Sequence, residues 1–404
     1  MSNVLFLNVP AHGHVNPTLG LVDELVKQGE NVTYFCTDEF KDKIEKTGAT
    51  FMSYGEENDL FKMDHNNHKK NNINDYIAFM IKTLNLSEVV IQGILDKIKD
   101  KKFDYLIHSA NFPYGNMIAQ ILKLPSVSSF AVFATPKEII SLNSLSISKE
   151  QILNNQVIDI YKKIGSKLEN KYRIKMPEII DMFYSKGNIN IAYTSNYFVS
   201  HPEYYDNSFI FIGPPIYDRE ENLDFPFEKL QGKKVMYISL GTVFNNTNSD
   251  FYDIFFKSFG NNGMVVVMAA YNVDLSSFDI PDNFIVRNYV PQSEILKYTD
   301  VAITHAGMNS TNDLLYNNIP FVAIPIGADQ PYMAGRAEDL GAAISLDKDK
   351  LTEEILKSSV EKVLSNPSYL ENIKKISDSF KQTGGYKKAV EEIFKMKQEM
   401  DISI

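Results

Sequence analysis

The sequence predicts an α/β protein built on two parallel sheets. Through both halves of the 404-residue chain, short apolar runs alternate with longer amphipathic ones. That is the pattern of buried strands joined by crossover helices. Between the halves, Gly213-Pro214-Pro215 opens a stretch that continues through a charge cluster to Pro226. Prolines around charges make a linker. The reading divides the chain into a first domain over 1–213, a linker over 214–231, a second domain over 232–385 and a terminal helix within 386–404.

Strands are expected at 4–9, 31–36, 104–108, 126–130, 190–194 and 209–212 in the first half. In the second they are expected at 234–239, 264–268, 284–287, 301–304 and 319–324. Residues 75–100 carry the period of a long amphipathic helix, and 386–400 that of another. Residues 62–74 are rich in Lys, Asn and His and read as an exposed loop. The halves share an architecture but no visible sequence repeat.

Composition narrows the function. Hydrophobic residues make up 44% and charged residues 23%, and the net charge is −10. An acidic chain is a poor match for nucleic acid or an anionic membrane surface. The amino terminus lacks a signal-peptide pattern, and no run of about 18 apolar residues is apparent, so no membrane insertion is expected. The single cysteine, Cys36, allows no intrachain disulfide. It reads as a small buried hydrophobe in a reducing, cytoplasmic setting.

Two regions carry chemistry. Directly after the first strand comes Pro10-Ala11-His12-Gly13-His14-Val15-Asn16-Pro17. Pro17 is expected to open the next helix, which puts His14 in the first strand–helix turn, on the ligand side of an open sheet. In the second half, the apolar run to Thr304 is followed by His305-Ala306-Gly307-Met308-Asn309-Ser310-Thr311. Strand, tight turn and helix start make an anion site of free N–H groups and a positive dipole end. Asn309, Ser310 and Thr311 are expected to cap that helix. The next apolar run leads to Asp329-Gln330, an acceptor beside a donor, suited to sugar hydroxyls. A phosphate site and a polyol site together imply a sugar diphosphate.

Val290-Pro291-Gln292, the His305–Thr311 turn and Asp329-Gln330, in this order and spacing, resemble the sugar-nucleotide signature of inverting glycosyltransferases. These are the enzymes that glycosylate small lipophilic molecules, among them bacterial macrolide and flavonoid glycosyltransferases and plant secondary-product glucosyltransferases. The Gly13-His14-Val15-Asn16-Pro17 turn resembles the family's catalytic-base turn. The resemblance is specific around 10–17, 239–242 and 290–330. It implies a GT-B fold: two Rossmann-like domains facing across a cleft, with the terminal helix crossing back to the first.

The resemblance also implies roles. His14 is the base that takes the acceptor's proton, while His12 occupies a position where the family requires no histidine. Val290 and Gln292 border base and ribose, and Asp313 stands where the family usually has a ribose-binding glutamate. Thr242, His305, Gly307, Asn309 and Ser310 surround the diphosphate, and Asp329 and Gln330 the hexose. The donor is expected to be UDP-glucose, a co-substrate rather than a cofactor, with a thymidine diphosphate sugar as alternative. No metal is required. The acceptor is a small lipophilic molecule whose pocket draws on stretches near 55–85 and 110–150.

One position departs from the family. Aligned on Gly115, the aspartate that should orient the base histidine is replaced by Ser109, while Asp104 lies at the far end of its strand. Three readings follow: a phenolic or otherwise acidic acceptor, a carboxylate arriving from elsewhere, or a sugar-nucleotide binder without efficient transfer. A lipid-linked glycosyltransferase is a further rival. Asp347-Lys348-Asp349 spells a metal-binding D-x-D but reads as helix-start acids, and His65 and His68 lack a second ligand pair.

Overall fold

The computed structural model describes residues 1–55, 73–131, 133, 155–217, 224–241, 250–327 and 329–402. The chain forms two compact units. One comprises Met1–Tyr193, His201–Pro215 and Gly384–Ile404, and the other Thr194–Ser200 and Ile216–Thr383.

The first unit runs β1 (Asn3–Leu7), α1 (His12–Lys27), β2 (Asn31–Cys36), α2 (Lys41–Glu45), β3 (Thr50–Ser53), α3 (Ile73–Ile98), β4 (Tyr105–Ser109), α4 (Gly115–Leu122), β5 (Ser126–Phe130), α5 (Asn155–Tyr172), β6 (Ile189–Ala192) and β7 (Phe209–Phe211). Its strands lie in the order β3-β2-β1-β4-β5-β6-β7, all parallel. The second unit runs β8 (Val235–Ser239), α6 (Asp250–Phe259), β9 (Val265–Ala269), β10 (Phe284–Arg287), α7 (Gln292–Ile295), β11 (Val301–Thr304), α8 (Met308–Tyr316), β12 (Phe321–Ala323), α9 (Gln330–Asp339), β13 (Ala343–Ser345), α10 (Glu353–Ser365) and α11 (Pro367–Lys381). Its order is β10-β9-β8-β11-β12-β13, again parallel. The last helix, α12 (Gly385–Glu399), belongs to the first unit.

The central strands β4, β8 and β11 are buried along their whole length, as expected where helices cover both faces. In the first unit Leu5, Leu7, Phe35 and Leu106 pack with Ile91, Ile94 and Met117. In the second, Met236, Ile238, Ile303 and Val322 pack with Phe255 and Leu356.

Two strands escaped the sequence reading. β3 is an edge strand with one exposed and three half-buried residues, and β13 has only three residues, one of them buried. Neither lies in a buried apolar run of the kind that marked the other strands. Thr194–Ser200 also leaves the domain to which the sequence assigned it. Arg336 of α9 donates from Nε to the Phe198 carbonyl at 2.7 Å and from Nη2 to those of Tyr197 and Val199. Tyr332 meets the Ser200 hydroxyl at 2.5 Å. These contacts tie the segment to the second unit.

Helix α3 bears on the membrane expectation. Over Ile77–Ile98 it is long and apolar enough, with mean hydropathy 1.3, to cross a membrane by composition. Lys82, Asn85, Glu88, Gln92 and Asp96 interrupt the stretch, so it is not an unbroken apolar run. It packs on α5 within the first unit, where Met80 and Leu84 join Val157, and Glu88 pairs with Lys167 and Lys171. The Asn/Lys/His-rich stretch, with His65 and His68, lies outside the described residues.

Helix α12 docks on α1 through two contacts. The Tyr386 ring fills the space a side chain at Gly20 would need, and its hydroxyl donates to the Pro17 carbonyl at 2.8 Å. Lys397, wholly buried, pairs with Glu30 at 2.8 Å, and Glu30 also accepts from the Tyr105 hydroxyl at 2.9 Å. Removing one partner strands a buried charge. Lys397→Ala is therefore expected to cost the first unit about 3–5 kcal/mol. Lys397→Met with Glu30→Gln, which removes both charges, is expected to cost distinctly less. Urea unfolding followed by circular dichroism checks both, and a loss for Lys397→Ala no larger than for the double variant would refute the argument.

Candidate functional site

Each sheet reverses its strand order once, between β1 and β4 in the first unit and between β8 and β11 in the second. At such a point neighbouring crossovers run apart and leave a crevice at the carboxyl ends of the strands. The residues singled out from the sequence gather at both.

In the first unit, α1 starts earlier than the sequence suggested. Its cap is Ala11, and Pro17 lies inside the helix. Proline there removes the N–H that would bond the carbonyl four residues back, at Gly13. His14 therefore sits in the first helical turn rather than in the connection before it. A buried polar network fixes that turn. Asn8 donates from Nδ2 to the His14 carbonyl at 3.1 Å and to the Tyr34 hydroxyl at 2.6 Å. Tyr54 donates to the Asn8 carbonyl at 2.9 Å. Asn8 was not foreseen; a buried polar residue directly after an apolar strand was the available signal. A side chain on Gly13 would meet nothing within 4 Å, so the helix start faces open space.

Ser109, the last residue of β4, meets His14: Oγ lies 3.3 Å from Nδ1. The alignment on Gly115 thus identified the right partner. Ser109 Oγ also accepts the Asn111 N–H at 3.3 Å. If its remaining lone pair takes a proton from Nδ1, Nε2 is left as a base. If the hydroxyl donates to Nδ1 instead, the ring proton moves to Nε2. A carboxylate would enforce the first arrangement, whereas a hydroxyl permits both. Desolvation pushes the His14 pKa from 6.5 down to about 4. His12 is separate, pairing through Nε2 with Glu39 at 3.3 Å. His108 is fully buried, with its ring over Gly115, and burial lowers it to about 4 as well. Asp104 accepts the Asn3 N–H at 2.7 Å and is structural.

In the second unit, His305 follows β11 and lies between two glycines. A Cβ on Gly241 would come within 2.6 Å of its Nε2, and one on Gly307 within 2.5 Å. Desolvation lowers its pKa to about 4, against a smaller opposing hydrogen bond with the Ser239 backbone. Ala306, buried, takes a left-handed φ of 62°, a conformation that costs a residue with a Cβ roughly 1–2 kcal/mol and marks a constrained turn.

Helix α8 starts at Met308 with Gly307 as its cap and no side-chain capping bond. This corrects the expectation that Asn309, Ser310 and Thr311 cap it; they lie within the first turns. No side chain caps the opening N–H groups, which is where a helix start receives an anion. Gln292 is held at both ends: Tyr237 donates to its Oε1 at 3.0 Å, and its Nε2 donates to Asp313 at 2.7 Å. Tyr237 was not foreseen. Val290 is buried as a residue. Asp329 is the N-cap residue of α9, and its side chain makes no capping bond. Gln330 Oε1 accepts the N–H groups of Ile326 and Gly327 at 2.8 and 3.0 Å, folding the loop beneath it. Its Nε2 is the end that remains for a ligand. Thr242 lies outside the described residues.

No metal-binding cluster of His, Cys, Asp or Glu occurs among the described residues. Asp347 caps a short 3-10 turn by accepting the Asp349 N–H at 3.0 Å and pairs with Lys350. Cys36 is buried and unbonded to another cysteine.

Residues 23–384 match the family described as "UDP-glucoronosyl and UDP-glucosyl transferase". The chain is 36% identical to YdhE of Bacillus subtilis and 34% identical to YojK of the same organism, each described as an uncharacterized UDP-glucosyltransferase. The alignments cover 97% of this chain in both cases and 98% and 97% of the relatives. Among solved structures, the glycosyltransferase of kitacinnamycin superposes with a TM-score of 0.83 at 22% identity, over 97% of this chain and 98% of the other. At that identity the likeness concerns the fold.

The glycines around His305 give a test. Gly307→Ala carries no penalty of backbone sign, so its cost isolates the clash with the ring; it is expected to destabilise by about 1–3 kcal/mol and to shift the His305 ring resonances. Gly13→Ala, with open space at its Cβ, is expected to do neither. Thermal unfolding and histidine-selective NMR read the difference, and equal behaviour of the two variants would show that His305 is not held by its glycines.

Proposed function

The chain belongs to the UDP-glucosyl and UDP-glucuronosyl transferase family and is a UDP-dependent glycosyltransferase; from that premise we propose that it moves glucose, with inversion, from UDP-glucose to a phenolic hydroxyl of a small lipophilic acceptor. The acceptor hydroxyl gives its proton to His14 Nε2 as its oxygen attacks the anomeric carbon. The bond from that carbon to the diphosphate breaks, and UDP leaves with the electron pair.

The observation that carries the acceptor class is the contact between His14 and Ser109. A neutral hydroxyl at 3.3 Å from Nδ1 cannot stabilise an imidazolium, and a histidine lowered to about 4 is a weak base. Such a base suits an acceptor that parts with its proton readily. A phenol, with a pKa near ~10 as in tyrosine, does so far better than an alkyl alcohol.

The donor reading rests on the second unit. The uncapped start of α8 at Met308, with Asn309, Ser310 and the His305 ring, receives the diphosphate by dipole and N–H donors rather than by a metal. Asp313, steadied through Gln292, bonds the ribose, and the Val290 backbone borders the base. Asp329 and the Gln330 Nε2 bond the hexose. The printed names of the Bacillus subtilis relatives favour UDP-glucose.

UDP release from UDP-glucose with a panel of phenols and alkyl alcohols tests this. Release is expected with phenols and is expected to fall at least about 100-fold in His14→Ala. Binding of UDP-glucose with no release on any acceptor would favour a sugar-nucleotide binder instead. Because His14 is neutral well below pH 7, the wild-type rate is expected to stay flat from pH 8 to 5.5. Ser109→Asp is expected to raise the rate by on the order of tenfold. It would also move the acid limb to higher pH, since a carboxylate lifts the imidazole pKa and the base is then lost earlier as pH falls. An unchanged profile in Ser109→Asp would break the link between the two residues.

A further inference from the structure

Beyond the attacking hydroxyl, the first unit holds a second polar contact point beside the base. Asn111 follows β4 by two residues, and its N–H is the one that reaches Ser109 Oγ at 3.3 Å. Its side chain is fixed in orientation, because Nδ2 donates to the Phe183 carbonyl at 3.1 Å. That carbonyl accepts only, so the amide cannot be turned over. Oδ1 is then directed away from Phe183, and it is buried with no donor among the described residues.

A buried acceptor without a donor is costly, by about 1–3 kcal/mol, and native proteins keep few of them. Asn111 itself is only partly buried as a residue, so the cost is relieved when a molecule brings a donor to the crevice. The surroundings indicate what kind. Phe183 ends a short 3-10 helix, Ile179–Phe183, and its ring lies 5.3 Å from that of Phe79 on α3. Both rings are half-buried, and one belongs to the residue whose carbonyl holds Asn111. Contacts of hydrogen-bond length thus run from His14 through Ser109 and Asn111 to Phe183.

We propose that Asn111 is a specificity-determining residue whose Oδ1 accepts a hydrogen bond from a second hydroxyl of the acceptor, so that the preferred substrates are aromatic molecules with at least two hydroxyl groups. One hydroxyl attacks under His14, and the other is held by Asn111 against the Phe79–Phe183 surface. A site built to bond a hydroxyl discriminates against an analogue that lacks it, because the buried acceptor is then left unpaired. The inference rests on the transferase reading for the identity of the attacking group, but the binding contact stands apart from turnover.

The experiment compares resorcinol, phenol and 3-methoxyphenol, the last matching resorcinol in reach without a second donor. Two readouts are taken for wild type, Asn111→Ala and Asn111→Asp: kcat/KM with UDP-glucose, and the dissociation constant by calorimetry. Wild type is expected to favour resorcinol over both controls by about tenfold, the equivalent of one well-made hydrogen bond at 1.4 kcal/mol per decade. Asn111→Ala is expected to lose that preference while phenol is little changed. Asn111→Asp keeps an acceptor oxygen but cannot donate to Phe183, so retention of the preference there assigns the effect to Oδ1 rather than to folding of the loop. Equal losses for all three phenols in Asn111→Ala, or no preference in the wild type by either readout, would overturn the proposal. Absence of turnover with the binding preference intact would instead count against the transferase reading alone and leave the Asn111 contact standing.

Discussion

Everything functional in this chain depends on one constraint of parallel sheets: where the strand order reverses, the covering crossovers diverge and leave the strand ends uncovered. Both sheets reverse once, and the order β3-β2-β1-β4-β5-β6 in the first repeats as β10-β9-β8-β11-β12-β13 in the second. His14 follows β1 and Ser109 ends β4, so the reversal itself brings together residues 95 positions apart. In the second unit the same geometry sets Gly241, after β8, against His305, after β11. The crevices are consequences of topology, and side chains give each its chemistry.

That chemistry is shaped by desolvation more than by charge. His14 and His305 are both lowered to about 4 by burial, and the group at the orienting position in the first unit is a hydroxyl. The positioning of His14 falls to neutral groups: Asn8, Tyr34 and Tyr54 around its backbone and Ser109 at its ring. A neutral network fixes geometry well but leaves the ring tautomer open, because a hydroxyl can give or take the shared proton. A hydroxyl in this place holds the His14 ring in position without fixing which nitrogen carries its proton.

The connections between units follow a second logic. Thr194–Ser200 is claimed by Arg336 and Tyr332 of the second unit, and α12 returns to the first through Tyr386 and the Lys397–Glu30 pair. A buried ion pair is not by itself a large source of stability. It is selective, however, because Lys397 in any other seat would leave two charges without partners. The helix that opens at the sugar-site candidates Asp329 and Gln330 also carries the clamp on Thr194–Ser200, so α9 serves both.

The sequence by itself determined the α/β class, most of the strands, and the pairing of His14 with Ser109 that the fold brings into contact. Those features are local: apolar period, tight turns, and motif spacing counted along the chain. It could not supply β3 and β13, whose residues are mostly half-exposed and form no apolar run, or the early start of α1, since proline is tolerated in an early turn as well as at its first position. Nor could it foresee that Gln292 is held between Tyr237 and Asp313, that Gln330 spends its carbonyl on its own loop, or that Asn111 keeps a buried oxygen without a donor. Each of these depends on which groups meet across tens of residues. Hydrogen-bond partners are set by distance and direction in space, and only the folded chain decides those.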